Sequence, residues 1–218
     1  MTSRRRCGGD GIASLVARRA HFQQRSPAAA QGFDDVAAQP GAGAELGWKE
    51  IMEFIGSAGK GLRADRERAL LCMAYETLAR RGELVALDLQ DIEFWPNGTG
   101  QALIRRGKTD AEGQGRVAYL SRETVKWLKI WLEHAEIAEG PIYRRLIGRF
   151  EIGDALHPGS IAPIFKRVAQ WIGMPARYVA EVSGHSTRVG AAQDLAALDI
   201  DLAAITQAGG WKSTRMPL

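Results

Sequence analysis

The feature that most constrains the fold is a run of seven apolar residues, 69–75, inside a longer pattern with helical spacing. Apolar residues recur every three or four positions from Leu62 to Leu87, which predicts helix, and Gly82 interrupts the pattern. We therefore expect two helices that meet at a bend near Gly82. A membrane-spanning helix needs about 20 apolar residues, so the short run indicates a buried protein core instead.

Strand signals follow this helical region. Three short segments that alternate or cluster apolar residues are separated by turns rich in Gly, Pro, Asn and Asp, at 92–95, 101–105 and 116–120. Helical patterns then return at 121–135, 160–172, 186–198 and 201–208. Ser121 is placed to cap the first of these helices. The sequence predicts a mainly α fold with one small three-stranded antiparallel sheet, an α+β architecture.

The N-terminal part of the chain differs from the rest in composition. Residues 26–47 contain seven Ala, four Gly and two Pro among 22 positions, which offers little that could form a packed face. We predict a tail or linker over residues 1–47 and a compact domain over residues 48–218.

Composition narrows the class of protein without identifying a partner. Lys and Arg number 29 against 25 Asp and Glu, a formal net charge of +4. This excess permits an anionic partner, but DNA binding must be argued from where the charges lie. Cys7 and Cys72 are too few for a disulfide framework or a structural zinc site. Because the N-terminus does not have the form of a signal peptide, we expect a cytoplasmic protein with no membrane partner.

Two groups of polar residues in the first half of the domain stand out. Arg80 and Glu83 are three residues apart, so they can pair on one helical face, although a solvated helix surface is the plainer interpretation. Lys108 lies in a Gly-rich turn between two predicted strands, where lysine is common. Neither group identifies a function by itself.

Two further groups lie in the second half. His185 and Arg188 flank a predicted helix start and can face one anionic group, although a capping motif with a surface arginine explains them equally well. Trp211 follows Gly209 and Gly210, and a Trp in this position is more often a packing anchor than a hydrogen-bond donor.

Together these residues form a set of hydrogen-bond donors: two arginines, a lysine, a histidine and an indole N–H. Arginine forks bind non-bridging phosphate oxygens, and lysine can protonate a departing alkoxide. The set therefore suits the transition state of phosphoryl transfer. The nucleophile is missing from it.

Basic residues on two predicted helices are open to two interpretations. They are Arg63, Arg66 and Arg68 on one helix, and Lys126 and Lys129 on another. Each could contact DNA phosphates, or each could belong to a solvated helix face, which is the commoner case.

Four motifs, in this order, resemble the catalytic domain of tyrosine recombinases, the phage-integrase family. They are MAYETLARRGELVALDLQDI at 73–92, RRGKTDAEGQG at 105–115, SGHSTRVGAAQDLA at 183–196 and QAGGW at 207–211. Each motif is weak alone, but the four together cover about 70% of the chain, from residue 60 to 211.

The resemblance implies a site-specific recombinase or integrase of a mobile element, which breaks and rejoins double-stranded DNA. In that case Arg80 and Arg188 clamp the scissile phosphate, and Glu83 orients Arg80. A tyrosine attacks the phosphate to form a 3′-phosphotyrosyl link, and a 5′-hydroxyl of a second duplex reverses the reaction.

The resemblance also implies roles for the other donors. Lys108, on a β-hairpin, would be the general acid for the 5′-hydroxyl leaving group. His185 would assist proton transfer, and Trp211 would take the place that a second histidine fills in many members. The implied reaction needs no metal or cofactor, and the family works as a tetramer of subunits on DNA.

Two departures from the family pattern affect what we expect of this chain. The nucleophilic tyrosine should follow Trp211 by about nine residues, some two to three helical turns. The four tyrosines present all precede Trp211: Tyr75, Tyr119, Tyr143 and Tyr178. We therefore expect residues 48–218 to be a catalytic domain truncated before its nucleophile and inactive in strand cleavage. Residues 1–47 would be the remnant of an N-terminal DNA-clamping region.

Three alternatives stay open from the sequence. The chain could be a non-catalytic DNA-binding remnant. It could be a type IB topoisomerase-like domain, which shares this donor set but relaxes supercoils as a monomer. The sequence around His185 and Trp211 argues against that alternative. It could also be a helical domain in which the motifs are accidental.

Overall fold

The computed structural model describes residues 44–105 and 115–211, which form a mostly helical domain with two small antiparallel sheets. The helices are α1 (Trp48–Ser57), α2 (Leu62–Thr77), α3 (Arg81–Val85), α4 (Arg122–His134), α5 (Ile161–Trp171), α6 (Ala176–Glu181), α7 (Ser186–Ala197) and α8 (Leu202–Gly209). The strands are β1 (Ile92–Phe94), β2 (Gly100–Ile104), β3 (Arg116–Leu120), β4 (Arg144–Ile147) and β5 (Glu151–Ala155). Short 3₁₀ turns occupy Leu89–Asp91 and Pro158–Ser160. The predicted α+β class is confirmed.

Helix α2 lies at the centre of the domain. Twelve of its 16 residues are buried, including the whole apolar run 69–75, so other elements cover it on several sides. It packs against α4, α7, α1 and strand β3. The apolar run that dominates the sequence is therefore the middle of the core.

The bend after α2 lies at Leu78, and the predicted position at Gly82 is wrong. Leu78 ends α2 in the left-handed region, with φ +51°, and its side chain is 4% exposed. Burial of Leu78 in the core offsets the strain of this backbone conformation. Gly82 lies inside α3, where a helix continues through it without a bend. The consequence is that Arg80 stands at the junction between α2 and α3.

The three-stranded sheet has the order β1-β2-β3 and follows the sequence prediction to within one residue at each strand end. Its register pairs Phe94 with Gly100 and Gly100 with Leu120 at one end. At the other end, Ile104 pairs with Arg116. Arg116 therefore lies at the sheet end that adjoins residues 106–114.

Three elements were not predicted: helices α1 and α6, and the hairpin of β4 and β5. The hairpin joins α4 to the second 3₁₀ turn, and Phe150 in its turn is 84% exposed. Within residues 44–105 and 115–211, no helix combines the length and apolar character needed to cross a membrane.

The first turns of α2 carry a group of buried charges, which we call the α2 cluster: Asp65, Arg66, Glu67 and Arg68, with Arg167 from α5. Arg68 donates to Asp65 Oδ1 at 3.1 Å and to the carbonyl oxygens of Ala58 and Gly59. Arg66 donates to the carbonyl oxygen of Arg144 at 3.1 Å, and Arg167 donates to Glu67 Oε1 at 2.5 Å.

Arg66 and Arg68 are therefore not part of a solvated helix face. Their relative exposures are 5% and 6%, and their Nη groups donate to carbonyl oxygens of neighbouring segments and to Asp65. Arg63, Lys126 and Lys129 are exposed, as a surface interpretation requires.

Candidate active site

Arg80 is held by a glutamate one helical turn away. Glu83 Oε1 accepts from Arg80 Nη1 at 2.8 Å, and Glu83 Oε2 accepts from the Arg80 backbone N–H at 3.0 Å. The second bond caps the start of α3, so the pair that orients the guanidinium also fixes the helix. Burial would raise the pKa of Glu83, but the hydrogen bonds from Arg80 and the charge of Arg116 outweigh it and lower that pKa. Glu83 is therefore an ionised partner.

The second guanidinium, Arg188, lies in the first turn of α7 and is 3% exposed. Its Nη1 donates to the carbonyl oxygen of Leu78, and its Nη2 donates to that of Gly209 at 2.9 Å. Burial and the charges of Arg80 and Arg116 lower the pKa of Arg188 to about 10, so it stays protonated at neutral pH.

Arg80 and Arg188 are tethered to consecutive peptide groups. Arg80 Nη2 donates to the carbonyl oxygen of Gly210 at 2.7 Å, next to the Gly209 carbonyl that Arg188 uses. Gly210 has φ +61°, a left-handed conformation that suits glycine and ends α8. The paired glycines of the sequence therefore bring together two arginines that are 108 residues apart.

Trp211 packs against Arg188. The Arg188 guanidinium carbon lies 4.5 Å from the centroid of the Trp211 ring, a cation–π contact. Trp211 is half-buried. It thus covers Arg188 from the side of α8. Trp211 is therefore both a packing residue and a neighbour of the clamp.

His185 stands immediately before α7 and is exposed. Its backbone N–H donates to Ser183 Oγ at 3.2 Å, which fixes the turn that leads into the helix. Partial burial and the charges of Arg188, Arg81 and Arg80 lower the pKa of His185. The Arg81 side chain lies against Gly184, where a Cβ would meet its Cδ at 3.3 Å. His185 is therefore close enough to these three arginines for their charges to lower its pKa.

Two of the arginines here were not singled out by sequence reasoning. Arg81 is the residue after Arg80 in the motif at 73–92, and the sequence assigns it no role. Arg116 was seen only as the start of a strand, yet its Nη2 lies 3.4 Å from Glu83 Oε2. No spacing rule connects positions 83 and 116, because the contact arises from the way β3 packs on α2.

The structure brings together Arg80, Glu83, His185, Arg188 and Trp211. Lys108 lies outside the described residues, so its proposed role stays a prediction. The four arginines named above and Glu83 give the site a large positive excess of charge at neutral pH. In the described part of the chain, no group of three or more His, Cys, Asp or Glu could hold a metal ion.

Two of the tyrosines are buried and hydrogen-bonded. Tyr75 is 2% exposed and donates to Asp194 Oδ2 at 2.5 Å. Tyr143 is fully buried and donates to the carbonyl oxygen of Ala69, and burial raises the pKa of its phenol well above the usual value. Tyr119 packs near Trp95, with ring centroids 6.0 Å apart. Neither Tyr75 nor Tyr143 is available as a nucleophile.

The segment before α1 and the first residue of α1 hold α7 in place. The Leu46 N–H donates to the carbonyl oxygen of Ser186 at 3.0 Å, and the Trp48 N–H donates to Asp194 Oδ2 at 2.9 Å. A Cβ at Gly190 would lie 2.5 Å from the carbonyl carbon and oxygen of Leu46. Gly190 is thus needed for the close approach of this segment to the helix that carries Arg188.

Comparison with protein families places this site in context. Residues 47–217 match the sequence model of the phage integrase family. The chain is 31% identical over 158 residues to an integrase/recombinase XerD homologue of Selenomonas ruminantium, covering 69% of this chain and 45% of the relative. It is 29% identical over 164 residues to the Cre recombinase of Escherichia phage P1, covering 69% and 47%. The chain spans about half the length of these curated relatives.

Solved structures share the fold at low sequence identity. XerH recombinase bound to a palindromic difH substrate superposes with a TM-score of 0.62 at 21% identity, covering 80% of this chain and 48% of XerH. XerA recombinase superposes with a TM-score of 0.63 at 18% identity, covering 94% and 68%.

Proposed function

We propose that this chain binds double-stranded DNA and holds one phosphodiester between Arg80 and Arg188. The chain belongs to the phage integrase family of DNA-breaking and DNA-rejoining recombinases. The observation that carries this proposal is the tethering of both guanidiniums to the consecutive carbonyls of Gly209 and Gly210. A phosphodiester needs donors on both non-bridging oxygens at once, and neighbouring guanidiniums supply them.

Charge in the pocket supports an anionic ligand. The first charged neighbours that lower the pKa of Arg188 are cations, Arg80 and Arg116, and only Glu83 opposes them. Placing cations together costs electrostatic energy in the free protein, and a bound phosphate removes that cost. The pocket is therefore better balanced with DNA bound than without it.

Each remaining group has a proposed task. His185, exposed immediately before α7, would donate to the phosphate or move a proton. Lys108 would protonate the 5′-oxygen as it leaves, so that no alkoxide accumulates. Trp211 would keep water from the rear of Arg188. Assembly of several subunits on DNA, which the family resemblance implies, stays a prediction.

DNA binding is tested by fluorescence anisotropy with a labelled duplex, over a series of salt concentrations. We expect affinity to fall steeply with salt, since phosphate contacts release counterions. Arg80→Ala and Arg188→Ala should each weaken binding about ten- to a hundredfold, since a hydrogen bond to a charged group contributes about 1.5–3 kcal/mol. Arg145→Ala makes the same charge change in an exposed ion pair with Asp154, so it should change affinity less than twofold. Equal losses from all three variants would contradict a specific phosphate clamp.

Strand cleavage is tested separately with a nicked duplex that traps a covalent protein–DNA adduct, detected on a denaturing gel. We expect no adduct from this polypeptide, because Tyr75 and Tyr143 are buried and neither Tyr119 nor Tyr178 follows Trp211. An adduct that maps to any of these four tyrosines would overturn that expectation while leaving the proposed clamp intact.

A further inference from the structure

Arg116 contacts Glu83, the carboxylate partner of Arg80, without belonging to the phosphate clamp that Arg80 and Arg188 form. Its side chain is 22% exposed, and its Nη2 lies 3.4 Å from Glu83 Oε2, the oxygen that also accepts from the Arg80 backbone. The guanidinium of Arg80 uses the other oxygen, Oε1. One carboxylate is thus shared by two arginines on different elements.

We propose that Arg116 is a positioning residue that sets the orientation of Arg80 by fixing the Glu83 carboxylate between them. The inference rests on the proposed function, because Arg80 is there assigned to the phosphate clamp. Arg116 itself would not contact the phosphate.

The geometry gives Arg116 a fixed base from which to do this. Its Nη1 donates to the carbonyl oxygen of Thr77 at 2.5 Å, the last residue of α2, so the guanidinium is held at both ends. Its backbone is paired with Ile104 in the β2–β3 ladder. Arg116 therefore connects the end of the central helix, the sheet and the carboxylate that orients Arg80.

Removing one contact to Glu83 should loosen Arg80. Without Arg116, the bonds that remain to Glu83 both come from Arg80, the guanidinium to Oε1 and the backbone N–H to Oε2, and the terminal torsion of a glutamate is broad. Glu83 would then follow the Arg80 guanidinium instead of restraining it. Arg80 would keep its bond to the Gly210 carbonyl but lose its fixed plane, and a bidentate fork needs that plane.

The competing explanation is that Arg116 merely adds positive charge near the DNA. Arg116→Lys separates the two ideas, since lysine keeps the charge but cannot reach Thr77 and Glu83 together in a planar fork. Under the positioning proposal, Arg116→Lys should weaken duplex binding about fivefold. Under the charge explanation, it should have no effect.

A double-mutant cycle shows whether Arg116 acts through Arg80. We expect the fivefold effect of Arg116→Lys to shrink below twofold when Arg80 is already alanine. The matched control is Arg105→Lys, which alters an arginine–carboxylate pair with Asp91 at the same end of the sheet and should stay within twofold in both backgrounds. An equal loss from Arg116→Lys in both backgrounds, or wild-type affinity in the single variant, would overturn the proposal.

A measurement without DNA separates this inference from the proposed function. In ¹⁵N NMR spectra, an arginine whose two Nη groups are both hydrogen-bonded gives separate Nη signals, because rotation of the guanidinium is restricted. We expect separate Arg80 signals in the wild type, identified by their loss in Arg80→Ala, and merged signals in Arg116→Lys at an unchanged melting temperature. If the wild type binds no duplex, the proposed function fails, and this result alone decides the positioning role. Separate Arg80 signals in folded Arg116→Lys would reject it.

Discussion

Two regions of the molecule bury arginines to the same degree, and only one of them resembles a binding site. In the α2 cluster, burial lowers the pKa of Arg66 to about 10, the same value that Arg188 reaches in the clamp. The first charged neighbour of Arg66 is a carboxylate, Glu67, whereas the first charged neighbours of Arg188 are the cations Arg80 and Arg116. A perturbed arginine therefore indicates a site only when its charge is left without a matching anion.

The α2 cluster should contribute to the stability of the fold, and removing its central carboxylate should lower the free energy of unfolding more than any other change predicted here. Glu67→Gln leaves Arg66 and Arg167 without their carboxylate, and breaking a buried ion pair costs about 3 kcal/mol or more of the free energy of unfolding. Urea unfolding measures this loss. Duplex affinity of the folded variant should stay within twofold.

The control for this prediction is Asp154→Asn, which removes the exposed ion pair with Arg145. Exposed pairs contribute about 0–1 kcal/mol, so this variant should unfold almost like the wild type. If Glu67→Gln lost less than 1 kcal/mol, or lost DNA affinity at full stability, the distinction between the two regions would be wrong.

The same two regions show which features of the arginines could be predicted from the sequence. Arg66 and Arg68 have the spacing of a surface helix, and only the packing of Ala58, Gly59 and Arg144 around them shows that they are buried. The clamp residues were found because four ordered motifs identify them together. Neither the charge balance nor the burial of any single arginine was visible in the sequence.

Local signals predicted the elements well where a period or a cap was present. The three strands of the first sheet and the Ser121 cap, which accepts from the Thr124 N–H at 3.3 Å, follow from turn residues and alternation. The bend at Leu78 did not, because a buried leucine in left-handed backbone carries no sequence signal. Arg116 was missed for a related reason: its contact with Glu83 depends on tertiary packing.

A second prediction concerns the glycines of the two helices that supply the clamp. Gly190→Ala places a Cβ 2.5 Å from the Leu46 backbone, which is not a flexible group, so the segment before α1 must move. Overpacking of this kind costs about 2 kcal/mol after alanine's better helix propensity is counted. Because α7 carries Arg188, duplex affinity should fall as well.

Gly82→Ala is the matched control in α3. Nothing lies within 4 Å of the Cβ that it would add, and alanine is a better helix former by about 1 kcal/mol. Chemical unfolding of both variants should therefore show opposite signs. A stabilised Gly190→Ala would mean that the segment before α1 does not restrain the clamp.

The smallest predicted effect is a pH dependence that belongs to the clamp and not to the α2 cluster. Partial burial and the charges of Arg188, Arg81 and Arg80 lower the pKa of His185 in the free protein. A folded-state pKa below the ordinary value means that the unfolded chain binds the proton more readily, so this contribution to stability falls as pH drops below about 6.5.

A bound phosphate opposes the arginine charges and raises the pKa of His185 again, so DNA binding takes up a proton. Duplex affinity should therefore rise about two- to fivefold as pH falls from about 7.5 to 6. His185→Gln should flatten this profile, whereas His134→Gln, which alters a histidine 3.0 Å from Asp65 of the α2 cluster, should leave it unchanged. A slope that survives in His185→Gln would place the proton on another group. It would also contradict the claim that His185 lies in the electrostatic field of the clamp.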